Sequence, residues 1–150
     1  MATYNAIKYN VDYAGKAGSL VPISDTTISS DSNVILTIDG TFDEHFIIFN
    51  AVHPSAANAD FGANFRSTGS SGNFNVGKQT GFYRCTQEEN GSGETFAYQS
   101  GKDVAGNSGS DFEIGSSLGN ANHDGISGYM SIFNAGSTTF QKSFFIVADE

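Results

Sequence analysis

The sequence predicts an all-β protein, an antiparallel β-sandwich of jelly-roll-like type with roughly eight to ten strands. Short aromatic or β-branched stretches are separated about every ten residues by Gly, Ser, Asn and Asp, which is the spacing of strands and turns. Glycine accounts for 18 of the 150 residues and proline for only 2, and no stretch sustains a helical period. The length suits one domain, so we predict a single β-sandwich over residues 1–150.

The first third of the chain contains three predicted strand regions. Residues 5–13 alternate apolar and polar side chains, as expected of a half-buried strand. Residues 14–33 are rich in turn-forming types but offer one or two short strands through Leu20, Val21, Ile23 and Ile28, and we interpret 1–33 as an N-terminal strand or arm region. Residues 34–38 form a strand that ends at the turn dipeptide Asp39-Gly40.

The rest of the chain continues the same pattern. Residues 44–52 form a long apolar strand, and shorter alternating pieces follow at 61–66, 74–76, 80–88, 96–98 and 112–115. Residues 126–134 and 140–148 make the last and strongest hairpin. From these facings, the predicted core comprises Ile7, Tyr9, Val11, Leu36, Ile38, Phe46, Ile48, Phe82, Phe112, Ile114, Met130, Ile132, Phe144 and Ile146.

Two strands carry more apolar surface than one core can bury. A strand in a sandwich buries one face, yet both faces are apolar in these two segments. Large exposed apolar patches are rare on monomers, so we expect an oligomer interface. The candidate interface residues are Phe46, Ile47, Ile48, Phe49, Phe144, Phe145, Ile146 and Val147.

Composition excludes several classes of partner. The formal net charge is −9 and charged residues make up 15% of the chain, which argues against binding to nucleic acid or an anionic membrane. No stretch approaches the ~20 apolar residues of a membrane span. The first residues lack the basic and apolar regions of a signal peptide, so we expect synthesis in a cytoplasm. Cys85 is the single cysteine, expected as a buried thiol, and it permits no internal disulfide.

No catalytic motif is evident, and we predict neither an enzyme nor a cofactor. His45, His53 and His123 lack the spacing of a metal pair, and no serine lies in a nucleophile elbow. Most carboxylates lie in turns, and the strand residue Glu113 has no evident partner for glycosidase chemistry.

One segment resembles half of a calcium-binding loop. Asn120, Asn122 and Asp124 place oxygen side chains at alternate positions before Gly125. The twelfth position would be Ser131 instead of the usual bidentate Glu, so these three are weak metal candidates. The alternative is a polar turn whose side chains bond to the local backbone.

The tyrosines allow two interpretations. They could line a surface that stacks against sugars, or they could pack in the core or at an interface with their hydroxyls at its rim. The six are Tyr4, Tyr9, Tyr13, Tyr83, Tyr98 and Tyr129.

A series of short motifs over residues 61–142 resembles a known group of proteins. It comprises Phe65-Arg66, Asn73-Phe74-Asn75, Lys78, Thr80, Phe82, Arg84, Tyr98, Asp103, Ser127-Gly128, Phe133-Asn134 and the run from Ser137 to Lys142. The series is similar to small virion structural proteins, of decoration or fibre type, from marine tailed phages including cyanophages.

This resemblance implies a place in a virus particle and transfers no catalytic residue. Together with the composition, it leads us to predict a non-enzymatic virion protein that decorates or cements the capsid, made in the host cytoplasm and located in the virion. The expected partners are the chain itself, as a homotrimer by analogy with other phage proteins, and the major capsid or other virion proteins. The alternatives are a tail or head fibre protein that binds a host receptor glycan and a calcium-dependent sugar-binding module.

Overall fold

The computed structural model describes residues 20–38, 40–67, 73–86, 91–106 and 109–149. These residues contain seven strands and a single 3₁₀ turn at Ser100–Lys102, with no α-helix among them. The predicted all-β class and antiparallel pairing are therefore confirmed. The strands are β1 (Glu44–Val52), β2 (Ala59–Ala63), β3 (Tyr83–Thr86), β4 (Thr95–Tyr98), β5 (Phe112–Leu118), β6 (Ile126–Phe133) and β7 (Ser143–Asp149).

A three-stranded sheet in the order β1-β6-β7 is the largest element. Ile47 pairs with Met130, which pairs with Ile146, so this row of apolar side chains lies on one face. Gly128 of β6 lies opposite Phe49, and a Cβ there would come within 2.7 Å of the Phe49 ring and 2.8 Å of a β7 Cα. Glycine is therefore required where the Phe49 ring crosses β6.

Two shorter antiparallel ladders accompany this sheet. In the first, β2 pairs with β5 through register shifts on both sides of Phe61. In the second, β3 and β4 form a regular hairpin in which Tyr83 lies opposite Tyr98 and Cys85 opposite Phe96.

The core lies where side chains of β5 meet the inward face of β6. Its buried apolar residues are Val104, Phe112, Ile114, Leu118, Ile126, Met130 and Ile132. Aromatic contacts tie the ladders together, since the Phe112 ring stacks on Phe144 at 4.7 Å and the Phe49 ring meets Phe61 at 5.4 Å. The predicted burial of Phe112, Ile114, Met130 and Ile132 is confirmed.

Other predicted core residues lie elsewhere. Phe46 and Ile48 are exposed because they point away from the core on β1. The predicted facing of this strand is therefore wrong, since Ile47 and Phe49 pack against the core instead. Leu36 is also exposed. Ile38, Phe82, Phe144 and Ile146 are half-buried.

Three further expectations need comment. Residues 34–38, predicted as a strand, form none, and Asp39 of the predicted turn lies outside the described residues. The Cys85 thiol, expected to be buried, belongs to an exposed residue of β3. The first predicted strand, with Ile7, Tyr9 and Val11, lies outside the described residues.

The chain divides into two compact units, Met1–Ile35 and Leu36–Glu150. In the first unit, the described residues 20–35 contain no strand and all are exposed, including Leu20 and Ile23. All seven strands belong to the second unit. A helix of the length and apolarity needed to span a bilayer is not found in the described part of the chain.

Candidate functional site

The outward face of the three-stranded sheet carries a group of exposed apolar side chains. We use "outward face" for Phe46 and Ile48 of β1, Tyr129 of β6, and Phe145 and Val147 of β7. The strand register places Phe46, Ser131 and Phe145 in one row and Ile48, Tyr129 and Val147 in the next. Successive residues of a strand point to opposite faces, so both rows lie on the side away from the core.

The side chains of the outward face contact one another. The rings of Phe46 and Tyr129 lie 5.1 Å apart between centroids, and the rings of Tyr129 and Phe145 lie 6.4 Å apart. Ser131 lies between two large residues in its row and is buried although it belongs to this face. Ile48 nevertheless remains 71% exposed and Phe145 56% exposed. The face is therefore preorganised but largely uncovered within the described residues.

The predicted interface residues divide between two faces. Phe46, Ile48, Phe145 and Val147 lie on the outward face. The other four are half-buried and pack against the core: Ile47, Phe49, Phe144 and Ile146. The two apolar faces predicted for each of these strands thus have different surroundings: one packs against the core and the other is exposed.

A second aromatic surface lies on the β3–β4 hairpin. Tyr83, Phe96 and Tyr98 are all exposed, and we call them the hairpin aromatics. The Tyr83 ring lies nearly parallel to that of Phe96, at 5.9 Å and 12°, and 5.3 Å from that of Tyr98. Three adjacent rings on one exposed face form a broad apolar platform with hydroxyls at its edge.

Asp103 fixes the end of this platform. Its carboxylate accepts a hydrogen bond from the Tyr98 hydroxyl and another, at 3.1 Å, from the backbone N–H of Phe82. The hydrogen bond to Asp103 is the main reason that the pKa of Tyr98 is raised above its usual 10.0. Tyr98 is therefore held in one orientation by a charged acceptor.

An open cleft of about 720 Å³ adjoins the same hairpin. Its lining residues are Arg84, Cys85, Thr86, Glu94, Thr95, Phe96 and Asp149. The cleft combines a cation with two carboxylates and the Cys85 thiol.

The half calcium loop forms a closed turn. Asp124 Oδ2 accepts a hydrogen bond from Ala121 N at 2.6 Å, and Asp124 N donates to Ala121 O at 2.9 Å. The same carbonyl is 2.7 Å from His53 Nε2. Asn120 and Asn122 are exposed. In the part of the chain that is described, no group of three or more His, Cys, Asp or Glu residues is arranged to hold a metal ion.

One polar cluster has no counterpart in the sequence analysis. Lys78 is buried, and its Nζ donates to Asn64 Oδ1 at 2.7 Å, while Asn64 Nδ2 donates to Asp111 Oδ1 at 2.8 Å. Sequence reasoning missed it because the three residues come from separate segments that approach only in the folded chain. The available signal was Lys78 itself, a lysine between the apolar residues Val76 and Phe82.

Comparison with protein-family models, curated proteins and solved structures finds no match to this chain. The assignment of a function therefore depends on the surfaces described above and on the sequence resemblance.

Proposed function

We propose that the chain is a non-enzymatic structural protein of a phage virion, which decorates or cements the capsid surface. The observation that carries the proposal is the exposed outward face of the three-stranded sheet. A preformed apolar surface in place of a catalytic constellation is typical of a protein whose task is assembly. The resemblance to small virion proteins of marine tailed phages supports the same conclusion.

In this proposal, the outward face is covered by another copy of the chain. The side chains at its centre are uncharged, and the ionisable residues Glu44 and Asp149 lie at opposite ends of the sheet. A neutral apolar surface is best covered by another of the same kind, and around a three-fold axis each copy turns the same face towards its two neighbours. The net charge of −9 opposes approach only weakly, because salt screens it beyond about 8 Å.

The proposed complete architecture is a jelly-roll-like sandwich. Contacts between Phe49 and Phe61 and between Phe112 and Phe144 bring the β2–β5 ladder against the inward face of the three-stranded sheet. Two layers around one core are the basis of such a sandwich. In this proposal, three copies form the oligomer that docks on the major capsid protein or other virion proteins.

The proposal is tested by stoichiometry. Light scattering of the purified chain should find a trimer, and cryo-EM of particles should find a copy number close to that of the capsid subunit. A stable monomer at high concentration, in which the outward face resists labelling, would refute assembly through this face. A copy number far below that of the capsid subunit would instead favour a tail or fibre location.

A second candidate function is receptor binding, and the hairpin aromatics favour it. The apolar C–H face of a sugar ring packs well on an exposed aromatic ring, and Asp103 beside Tyr98 offers an acceptor for sugar hydroxyls. The chain's negative charge favours a neutral glycan over a polyanion.

Glycan binding has its own matched test. Phe96→Ala should abolish binding to neutral polysaccharides, whereas Phe140→Ala, which removes an exposed ring outside the hairpin, should leave it unchanged. Equal retention by both variants would eliminate this function.

A further inference from the structure

We propose that Lys78 and Asn64 join in an intramolecular isopeptide bond, with Asp111 as the residue that transfers the proton. The inference rests on three side chains, each in contact with the next. The Lys78 amine contacts the Asn64 side-chain oxygen at 2.7 Å, and the Asn64 side-chain nitrogen contacts the Asp111 carboxylate at 2.8 Å. An amine, a carboxamide and a carboxylate in this order supply the nucleophile, the electrophile and the acid–base group of an acyl transfer.

The fold brings these residues together from three segments. Asn64 directly follows β2 and Asp111 directly precedes β5, and the pair Ala63–Phe112 between them ends the β2–β5 ladder. Lys78 is held from the other side, because its carbonyl accepts a hydrogen bond from Gly106 N at 2.8 Å. The reacting groups are therefore positioned by backbone pairing next to each of them.

The surroundings make the Lys78 amine a better nucleophile than an exposed lysine. Burial lowers the pKa of Lys78 below its usual 10.5, and the charge of Asp111 only partly opposes this. More of the amine is then neutral and has a free lone pair at physiological pH. On one side of the cluster Phe65 packs its ring against Phe112 at 5.4 Å, which limits access of water.

The backbone also stabilises the reaction intermediate. Phe65 N–H donates to Asn64 Oδ1 at 2.8 Å, so the oxygen that becomes negatively charged already has a fixed donor. Lys78 loses one proton to solvent, and its nitrogen then attacks Asn64 Cγ to form the new C–N bond. Asp111 accepts a second proton from that nitrogen and passes it to Asn64 Nδ2, whose bond to Cγ breaks as ammonia leaves. An amine and a carboxamide become an amide and ammonia, with no oxidant or reductant.

The bond would give this chain a covalent closure that its composition otherwise denies. With Cys85 as the single cysteine, no internal disulfide can form. The link would join Asn64, which follows β2, to Lys78, whose neighbour Gln79 pairs with Ala105. Covalent closure restricts the unfolded chain and thereby stabilises the folded one. The inference does not depend on the proposed virion location.

Mass spectrometry of the full chain is the decisive test. The intact protein should be lighter than its sequence by one ammonia molecule. Trypsin should release residues 17–66 joined through a side chain to residues 67–84, because the modified Lys78 is not cleaved. Recovery of free 67–78 and 79–84 peptides from a chain of full mass would overturn the proposal. So would ammonia loss without a branched peptide, which signifies a cyclised asparagine.

Variants separate the roles of the three residues. Lys78→Arg and Asp111→Asn should both have the unreacted mass, with circular dichroism used to verify that each variant is folded. Lys142→Arg, a matched change at an exposed lysine, should still lose ammonia and give the branched peptide. A full yield of branched peptide from Asp111→Asn would overturn the role assigned to that carboxylate.

Discussion

Replacing Ile48 or Phe145 by serine should weaken the proposed association between copies without unfolding the subunit. Ile48 is 71% exposed, so assembly can still bury most of its side chain. Full burial of such a side chain contributes about 1.5–3 kcal/mol, so the exposed share of Ile48 is worth about 1–2 kcal/mol per copy. Since each 1.4 kcal/mol is tenfold, association should weaken by roughly 5- to 30-fold per copy. Phe145, at 56% exposed, should give a slightly smaller effect.

The assay is sedimentation equilibrium over a range of protein concentrations, with thermal unfolding as the measure of subunit integrity. Phe140→Ser is the control, because Phe140 is 70% exposed but lies in the loop between β6 and β7 and outside the outward face. Its association should match the unmodified chain. If Ile48→Ser and Phe140→Ser associate equally well, the outward face is not the interface and the reasoning fails.

Three other perturbations test the core, the hairpin and the closed turn. Phe112→Ala should destabilise the fold by about 3–5 kcal/mol in urea unfolding, because the ring is 2% exposed and stacks on Phe144; a cost under ~1 kcal/mol would contradict this core. The pKa of Tyr98 should lie above its usual 10.0, and Asp103→Asn should lower it, as an absorbance titration of the unmodified chain against the variant can detect. Because folding raises this pKa, its contribution to stability is complete below pH 10.0 and is lost as pH rises through the folded value. Adding EDTA should leave the melting temperature unchanged, since the Asp124 carboxylate already accepts a hydrogen bond from the backbone of Ala121; a large drop would reinstate the calcium loop.

Strand positions were readable where the apolar pattern is dense. The predicted strand 44–52 coincides with β1, and the predicted hairpin 126–134 and 140–148 corresponds to β6 and β7 within a few residues. Here β-branched and aromatic side chains are frequent between turn residues, and the local sequence is enough to predict an extended chain. The same abundance of apolar residues made it impossible to predict which face of β1 points to the core. A strand that is apolar on both sides has no polar residue to mark the solvent side.

The clusters that carry the proposals could not be read in this way. Asn64, Lys78 and Asp111 are brought together by the β2–β5 ladder and the Gln79–Ala105 bridge, and neither pairing has a local signature. The exposure of Tyr83 and Tyr98 likewise depends on their hairpin lying at the surface, which the alternation of four-residue strands does not specify. Non-local pairing determines such sites, and a single sequence contains little record of it.

The distribution of apolar residues links folding to assembly. Among the described residues only seven hydrophobic side chains are buried, while fifteen large ones are exposed. Burial of apolar surface is the dominant favourable contribution to folding, so covering more of it on assembly adds to the stability of the folded subunit. The outward face offers a second place to bury apolar side chains, because Phe46, Tyr129 and Phe145 are already packed together and need only a cover. An interface of that kind stabilises the folded subunit by mass action. In this view β6 serves both purposes, with Met130 and Ile132 in the core and Tyr129 at the interface.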